Sequence, residues 1–116
     1  MALARRSIGD VDVFTFGERL DAAGANPVRD QIRTAIQDGA RRIVLDLGPV
    51  TFIDSSGLFA LVAAFKQARS VGGDTVLLGL SPAVRSVIEL TRLHRVFEIF
   101  DDEATAVAAL RSSPID

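Results

Sequence analysis

From Arg42 onward the chain alternates short apolar, often β-branched runs with longer segments whose apolar residues recur at helical spacing, and this constrains the fold more than any other feature. Arg42-Ile43-Val44-Leu45-Asp46-Leu47 is long enough for a strand and too short for a helix. After Gly48-Pro49, Val50-Thr51-Phe52-Ile53 reads as a further strand that runs straight into Asp54-Ser55, where a helix opens. Leu58, Leu61, Val62 and Phe65 give that helix its apolar stripe. Lys66, Gln67 and Arg69 crowd its C-terminal end, where positive charge complements the helix dipole, and Gly72-Gly73 stops it. Thr75-Val76-Leu77-Leu78 is the next strand, and Ser81-Pro82 is a cap-plus-proline start for a helix bearing Val84, Val87 and Ile88. Val96-Phe97-Glu98-Ile99-Phe100 predicts a last strand. Asp101-Asp102-Glu103 then places negative charge at the head of a helix carrying Ala104, Val107, Ala108 and Leu110, before the chain frays at Ser112-Ser113-Pro114. Strands alternating with helices in this order require right-handed crossovers and a largely parallel sheet.

The N-terminal part makes the sheet mixed. Residues 3 to 8 and 11 to 17 read as two strands around Gly9-Asp10, an antiparallel edge, because Val11, Val13 and Phe14-Thr15-Phe16 suit a pleated surface. Asn26 before Pro27 predicts a helix start, with the Asn side chain as acceptor for orphan N–H groups. Val28, Ile32, Ala35 and Ile36 make one apolar stripe, and Gly39 can end the helix in a left-handed turn. No internal repeat or low-complexity segment stands out. The expected architecture is a single α/β domain over residues 1–116, a mixed sheet with an antiparallel N-terminal pair and about four helices.

Composition narrows the function classes. At 116 residues, 48% of them hydrophobic and 24% charged, the chain matches one self-folding domain with little room for disorder. It has no cysteine, which fits a reducing compartment and removes disulfides and thiolate metal sites; cytoplasm is the default. Arg5-Arg6 is not followed by the apolar stretch of a signal peptide, and the apolar window Leu58 to Phe65 is far short of the ~20 residues of a membrane span. A formal net charge of −2 and the absence of Trp and Tyr argue against direct nucleic-acid binding. Oligomeric state stays open, a homodimer included, because Phe14, Phe16, Phe59 and Phe97 suit either a core or an interface.

Catalytic chemistry is hard to assemble from these residues. A hydrolase built on Ser55 lacks a base other than His94 and lacks a Gly-x-Ser-x-Gly elbow, and His94 reads as a solvated connector. One His without Cys makes no zinc site, and neither phosphate-loop pattern is present. Asp101, Asp102 and Glu103 are explained by helix capping before cation binding. What is specific is Ile53-Asp54-Ser55-Ser56-Gly57, an apolar strand end entering polar residues and then a helix. Asp54 or Ser55 serves as N-cap there, and spacing alone leaves that structural role level with a functional one.

Asp54-Ser55-Ser56-Gly57-Leu58, preceded by Ile43-Val44-Leu45-Asp46-Leu47, resembles the signature of the STAS domain family, the anti-sigma factor antagonists in particular. Gly72-Gly73 before a strand, Ser81-Pro82-x-Val84 opening a helix, and Leu93 leading to Val96–Phe100 fall in the same order, so the resemblance covers nearly the whole chain. It implies a mixed sheet with packed helices, no cofactor, no catalysis, and a partner surface around the start of the second helix. By the same resemblance Ser55 matches a serine phosphorylated by a partner kinase, Asp54 its acidic neighbour, and Ser56 and Gly57 the small residues that follow. Asp21 matches an acidic residue ending the second strand near that surface, although the family glycine two residues before Leu20 is Glu18 here, with Gly17 one place earlier. The implied partners are an anti-sigma factor that is itself a serine kinase and a serine phosphatase. The alternative within the family is a scaffold or accessory subunit of a stress-sensing complex or a membrane transporter.

Overall fold

The computed structural model describes residues 3–112. Two antiparallel strands, β1 (Ala4–Ile8) and β2 (Val11–Thr15), form a hairpin whose two-residue turn is Gly9-Asp10. Gly9 has φ +61°, which a type II′ turn requires at its first central position. β4 (Arg42–Asp46), β6 (Asp74–Leu78) and β7 (Ile99–Phe100) extend β2 in parallel, giving one sheet in the order β1-β2-β4-β6-β7. A separate two-stranded parallel pair joins β3 (Arg19–Leu20) to β5 (Phe52–Ile53). The helices are α1 (Ala22–Gln37), α2 (Ser55–Ser70), α3 (Pro82–Leu90) and α4 (Glu103–Ser112), with a 3₁₀ turn at Leu93–Arg95.

Alternation along the central strands sorts the core into two layers. Phe14, Ile43, Leu45 and Leu77 join α1, α2 and α3 in the larger cluster, while Val11, Val13, Val44, Val76 and Leu78 join Ala106, Val107 and Leu110 of α4 in the smaller. Both faces of β4 are therefore covered, which is why Ile43-Val44-Leu45 reads as a continuous apolar run. Each such fully buried side chain contributes about 1.5–3 kcal/mol over leaving it exposed.

Five local expectations need correction. The stretch 11–17 is not one strand: β2 ends at Thr15, Phe16 N–H donates to the Asp46 carbonyl at 3.1 Å, and the chain turns to make β3. Residues 50 and 51 likewise stay outside β5, which comprises Phe52 and Ile53 alone. α1 starts at Ala22 with Asp21 as N-cap, so Asn26 is not the cap and Pro27 lies inside the helix, exposed, where its missing N–H costs one bond close to the end. The last strand is only Ile99–Phe100, because Val96-Phe97 closes the 3₁₀ turn and Phe97 is buried edge-on to Phe65, ring centroids 5.3 Å apart. On the helices, α2 buries Gly57, Ala60, Leu61, Ala64 and Ala68, with Leu58, Val62 and Phe65 only partly covered; α4 buries Ala106, Val107 and Leu110 and exposes Ala104 and Ala108. Small residues on the buried face of α2 let it approach α1 closely. The expected caps hold elsewhere: Val84 N–H donates to the Ser81 hydroxyl at 3.3 Å, and Thr105 N–H to Asp102 at 3.3 Å. Ser113 and Pro114 lie outside the described residues.

Candidate functional site

The site is built by the small β3–β5 pair. Arg19 pairs with Phe52 and Leu20 with Ile53, so the two residues that follow, Asp21 and Asp54, stand side by side as each strand gives way to a helix. Their backbones are nearly identical: φ −125° and ψ −172° at Asp21, φ −113° and ψ −172° at Asp54. Leu20-Asp21-Ala22-Ala23-Gly24 and Ile53-Asp54-Ser55-Ser56-Gly57 are thus two copies of one strand-to-helix junction, a correspondence hidden in the sequence because identity is confined to Asp and Gly.

The two aspartates are used differently. Asp54 accepts a hydrogen bond from Gly57 N–H at 2.9 Å, capping α2, while Leu58 N–H bonds the Asp54 carbonyl at 2.9 Å. Asp21 makes no side-chain cap and instead pairs with Arg19 at 3.3 Å, the Arg19 guanidinium lying over the Phe52 ring at 4.2 Å. The capping role that sequence left shared between Asp54 and Ser55 therefore falls to Asp54. Ser55 is exposed at the first position of α2, and its hydroxyl makes no hydrogen bond among the described residues. Ser56 is half-buried and Gly57 buried.

All five sequence-predicted residues, Asp21, Asp54, Ser55, Ser56 and Gly57, come together at these paired junctions, with Asp21 leaving the third strand and not the second. Beside them, between the N-terminal halves of α1 and α2, opens a cleft of about 370 Å³ lined by Ala22, Asn26, Arg29, Ser55, Ser56 and Phe59, with Ala25. Sequence raised Phe59 only as a core or interface aromatic and did not raise Arg29; here Arg29 lies over the exposed Phe59 ring at 4.8 Å. For Phe59 a signal existed, since it falls one helical turn after Ser55 and outside the apolar stripe; for Arg29 there was none. A larger groove of about 700 Å³ runs along α4 on the other side of the sheet, lined among others by Ile8, Val107 and Arg111. It is remote from both junctions, and Arg111 there is already paired with Asp10 at 3.5 Å.

No group of three or more His, Cys, Asp or Glu side chains able to hold a metal occurs among the described residues, and His94 is exposed in the 3₁₀ turn. No helix among them is long and apolar enough to cross a membrane. The chemistry available at the site is that of an exposed serine hydroxyl beside a capping carboxylate and a small cleft.

Residues 2–106 match the STAS domain family. The chain belongs to that family. An anti-sigma-B factor antagonist of Listeria monocytogenes is 32% identical over 97 residues, 84% of either chain. Among solved structures, the anti-sigma factor antagonist SpoIIAA in its unphosphorylated form superposes with a TM-score of 0.84 at 27% identity, covering 97% of this chain and 99% of that one. The Bacillus cell fate determinant SpoIIAA in the phosphorylated form superposes with a TM-score of 0.75, also at 27% identity, covering 95% and 100%. As a STAS domain the chain has the expected single α/β fold, with four α-helices among the described residues and a mixed sheet whose antiparallel part is β1-β2.

Proposed function

We propose that this STAS domain is an anti-sigma factor antagonist, a regulatory binding protein and not an enzyme, whose partner surface is the paired junctions at Asp21 and Asp54 and whose switch is phosphorylation of Ser55. The observation that carries the reading is the division of labour at the start of α2: Asp54 holds the cap, and the neighbouring Ser55 hydroxyl is exposed and makes no hydrogen bond among the described residues. The names of the Listeria relative and of SpoIIAA, the latter known in unphosphorylated and phosphorylated forms, support it.

In this reading the unmodified chain binds an anti-sigma factor with serine-kinase activity in the bacterial cytoplasm and so releases a sigma factor. The small hydroxyls of Ser55 and Ser56 allow close approach at little desolvation cost. The kinase transfers the γ-phosphoryl group of ATP to the Ser55 hydroxyl, leaving ADP, and a serine phosphatase hydrolyses the ester back to serine and phosphate. A phosphate adds about −1.5 to −2 charges and three acceptor oxygens. At a helix N-terminus the first-turn N–H groups and the dipole favour it, so the fold survives, while a partner fitted to neutral serine is repelled.

The test is a binding comparison with the anti-sigma kinase. Ser55→Ala is expected to keep the complex and Ser55→Asp to weaken it by roughly a hundredfold, a loss of a few kcal/mol. Radiolabel from ATP is expected in the wild-type chain and not in Ser55→Ala. Equal labelling of both, or co-purification with a transporter or as a large particle in place of a kinase, would overturn the proposal.

A further inference from the structure

Arg29 presents an unusual combination beside the switch serine. Its Nε is buried without a hydrogen-bond partner, its guanidinium has no ion-pair partner among the described residues, and it is the one charged side chain lining the cleft that also contains Ser55 and Ser56. A guanidinium N–H without a protein partner carries a desolvation cost that an acceptor placed in the cleft would offset.

Geometry places the guanidinium within reach of a group on Ser55. Phe59 follows Ser55 by four residues, so the two side chains lie on one face of α2 with Cβ atoms about 5–6 Å apart. Helical side chains lean toward the N-terminus, which carries the Phe59 ring back over the turn that begins at Ser55. Arg29 lies over that ring at 4.8 Å. Asn26, one helical turn before Arg29 on α1, lines the same cleft and adds a neutral amide donor.

We infer that Arg29 is the intramolecular receiver for a phosphate on Ser55, bridging α1 to α2 across the cleft when the serine is modified. The inference rests on the proposed phosphorylation of Ser55 and extends it. Arginine suits the role, because its planar fork meets phosphate oxygens with paired, charge-assisted hydrogen bonds and needs no change of protonation. The modified state then differs from the unmodified one in two ways: the surface carries new charge, and the cleft beside Ser55 is filled and closed by the Arg29–phosphate pair. The other charged groups around the junction are engaged elsewhere, Asp54 with Gly57 N–H and Asp21 with Arg19.

The experiment uses the full chain with phosphoserine installed at position 55 during translation, so that no kinase is required, and follows the phosphate by ³¹P NMR against pH. The second ionisation of a phosphoserine ordinarily falls near pH 6. It is expected to lie about one unit lower in the wild-type chain than in Arg29→Gln, with Arg29→Lys in between, because an adjacent cation favours the dianion. The helix N-terminus acts equally in all three chains, so the difference isolates Arg29. Coincident titrations in wild type and Arg29→Gln overturn the inference even where kinase labelling of Ser55 succeeds. Failed labelling with the offset intact overturns the kinase reading and keeps the receiver. Should Arg29→Gln lose the native melting transition, the Arg29 Nε–H resonance of the wild-type chain decides: a shift that titrates with the phosphate supports the pairing, and an unmoved resonance refutes it.

Discussion

The site a Cβ atom would occupy on Gly57 lies 2.2 Å from the carbonyl oxygen of Leu20, and 2.9 Å from side-chain atoms of Leu20 and Ile53. No L-residue other than glycine fits without moving backbone. The β3–β5 pair and the first turn of α2 thus hold each other at the distance a bare glycine permits. Gly57→Ala is expected to destabilise the domain by about 1–3 kcal/mol, the usual cost of overpacking, despite alanine's better helix propensity. Urea denaturation measures it; a neutral or stabilising result would show that β3 can move away freely.

The paired aspartates make an internal comparison. Asp54→Ala removes a cap that Gly57 N–H uses and is expected to cost about 1 kcal/mol, while Asp54→Asn keeps an acceptor and costs less. Asp21→Ala removes only an exposed ion pair to Arg19 and is expected to cost a few tenths of a kcal/mol. Thermal melts of the three variants rank them, and an Asp21→Ala loss equal to that of Asp54→Ala would contradict the division of roles.

What could be read from residues alone follows how local the deciding interaction is. Ser81-Pro82 announces α3 correctly because its cap is made three residues away, by Val84 N–H. Ile43-Val44-Leu45 announces β4 because burial on both faces leaves a continuous apolar run. Asn26-Pro27 misleads because the true start of α1 is set by the pairing of Leu20 with Ile53, a contact between residues far apart in the chain. Val96–Phe100 misleads because Phe97 is claimed by the core against Phe65 and not by a ladder. At the site, the motif around Ser55 was legible, whereas Arg29 belongs to it only through the packing of α1 on α2.

Thr75 contains a removable cost. It is 1% exposed and its Oγ1 has no hydrogen-bond partner among the described residues. Valine has nearly the same shape and no hydroxyl to leave unpaired. Thr75→Val is therefore expected to raise stability by about 1 kcal/mol, read as a higher urea midpoint with unchanged slope. A loss of stability would mean that the hydroxyl is satisfied in solution.

Acid weakens one tie between the hairpin and α4. Arg6 bonds the Glu103 carboxylate, and this hydrogen bond, with the Coulombic attraction of the same arginine, holds Glu103 below the usual glutamate range. A group whose folded value is depressed contributes stability that is fully present above its unfolded value and disappears as pH falls through the folded value. Arg6 is exposed and Glu103 only half-buried, so solvent screening keeps the contribution small. Melting temperature is expected to decline below about pH 4.3, the ordinary glutamate value, with a shallower decline in Glu103→Gln. Identical pH profiles for the two proteins would remove this pair from the account.

Phe59 separates recognition from folding. It is 57% exposed on α2, one turn beyond Ser55, and its ring supports Arg29. Exposed aromatics rimmed by polar groups are where interface energy concentrates, and little core packing depends on this ring. Phe59→Ala is expected to leave stability within about 0.5 kcal/mol of wild type, as surface substitutions usually do. If the proposed partner surface is right, the same change is expected to weaken binding of the unmodified chain to an anti-sigma factor by more than about tenfold, the loss expected when an interface anchor is truncated. Calorimetric titration of the anti-sigma factor into each chain provides the measurement. Undiminished affinity would move the proposed partner surface away from α2 and toward Asp21 and Phe52 on the β3–β5 pair, where Arg19 covers a second exposed aromatic ring.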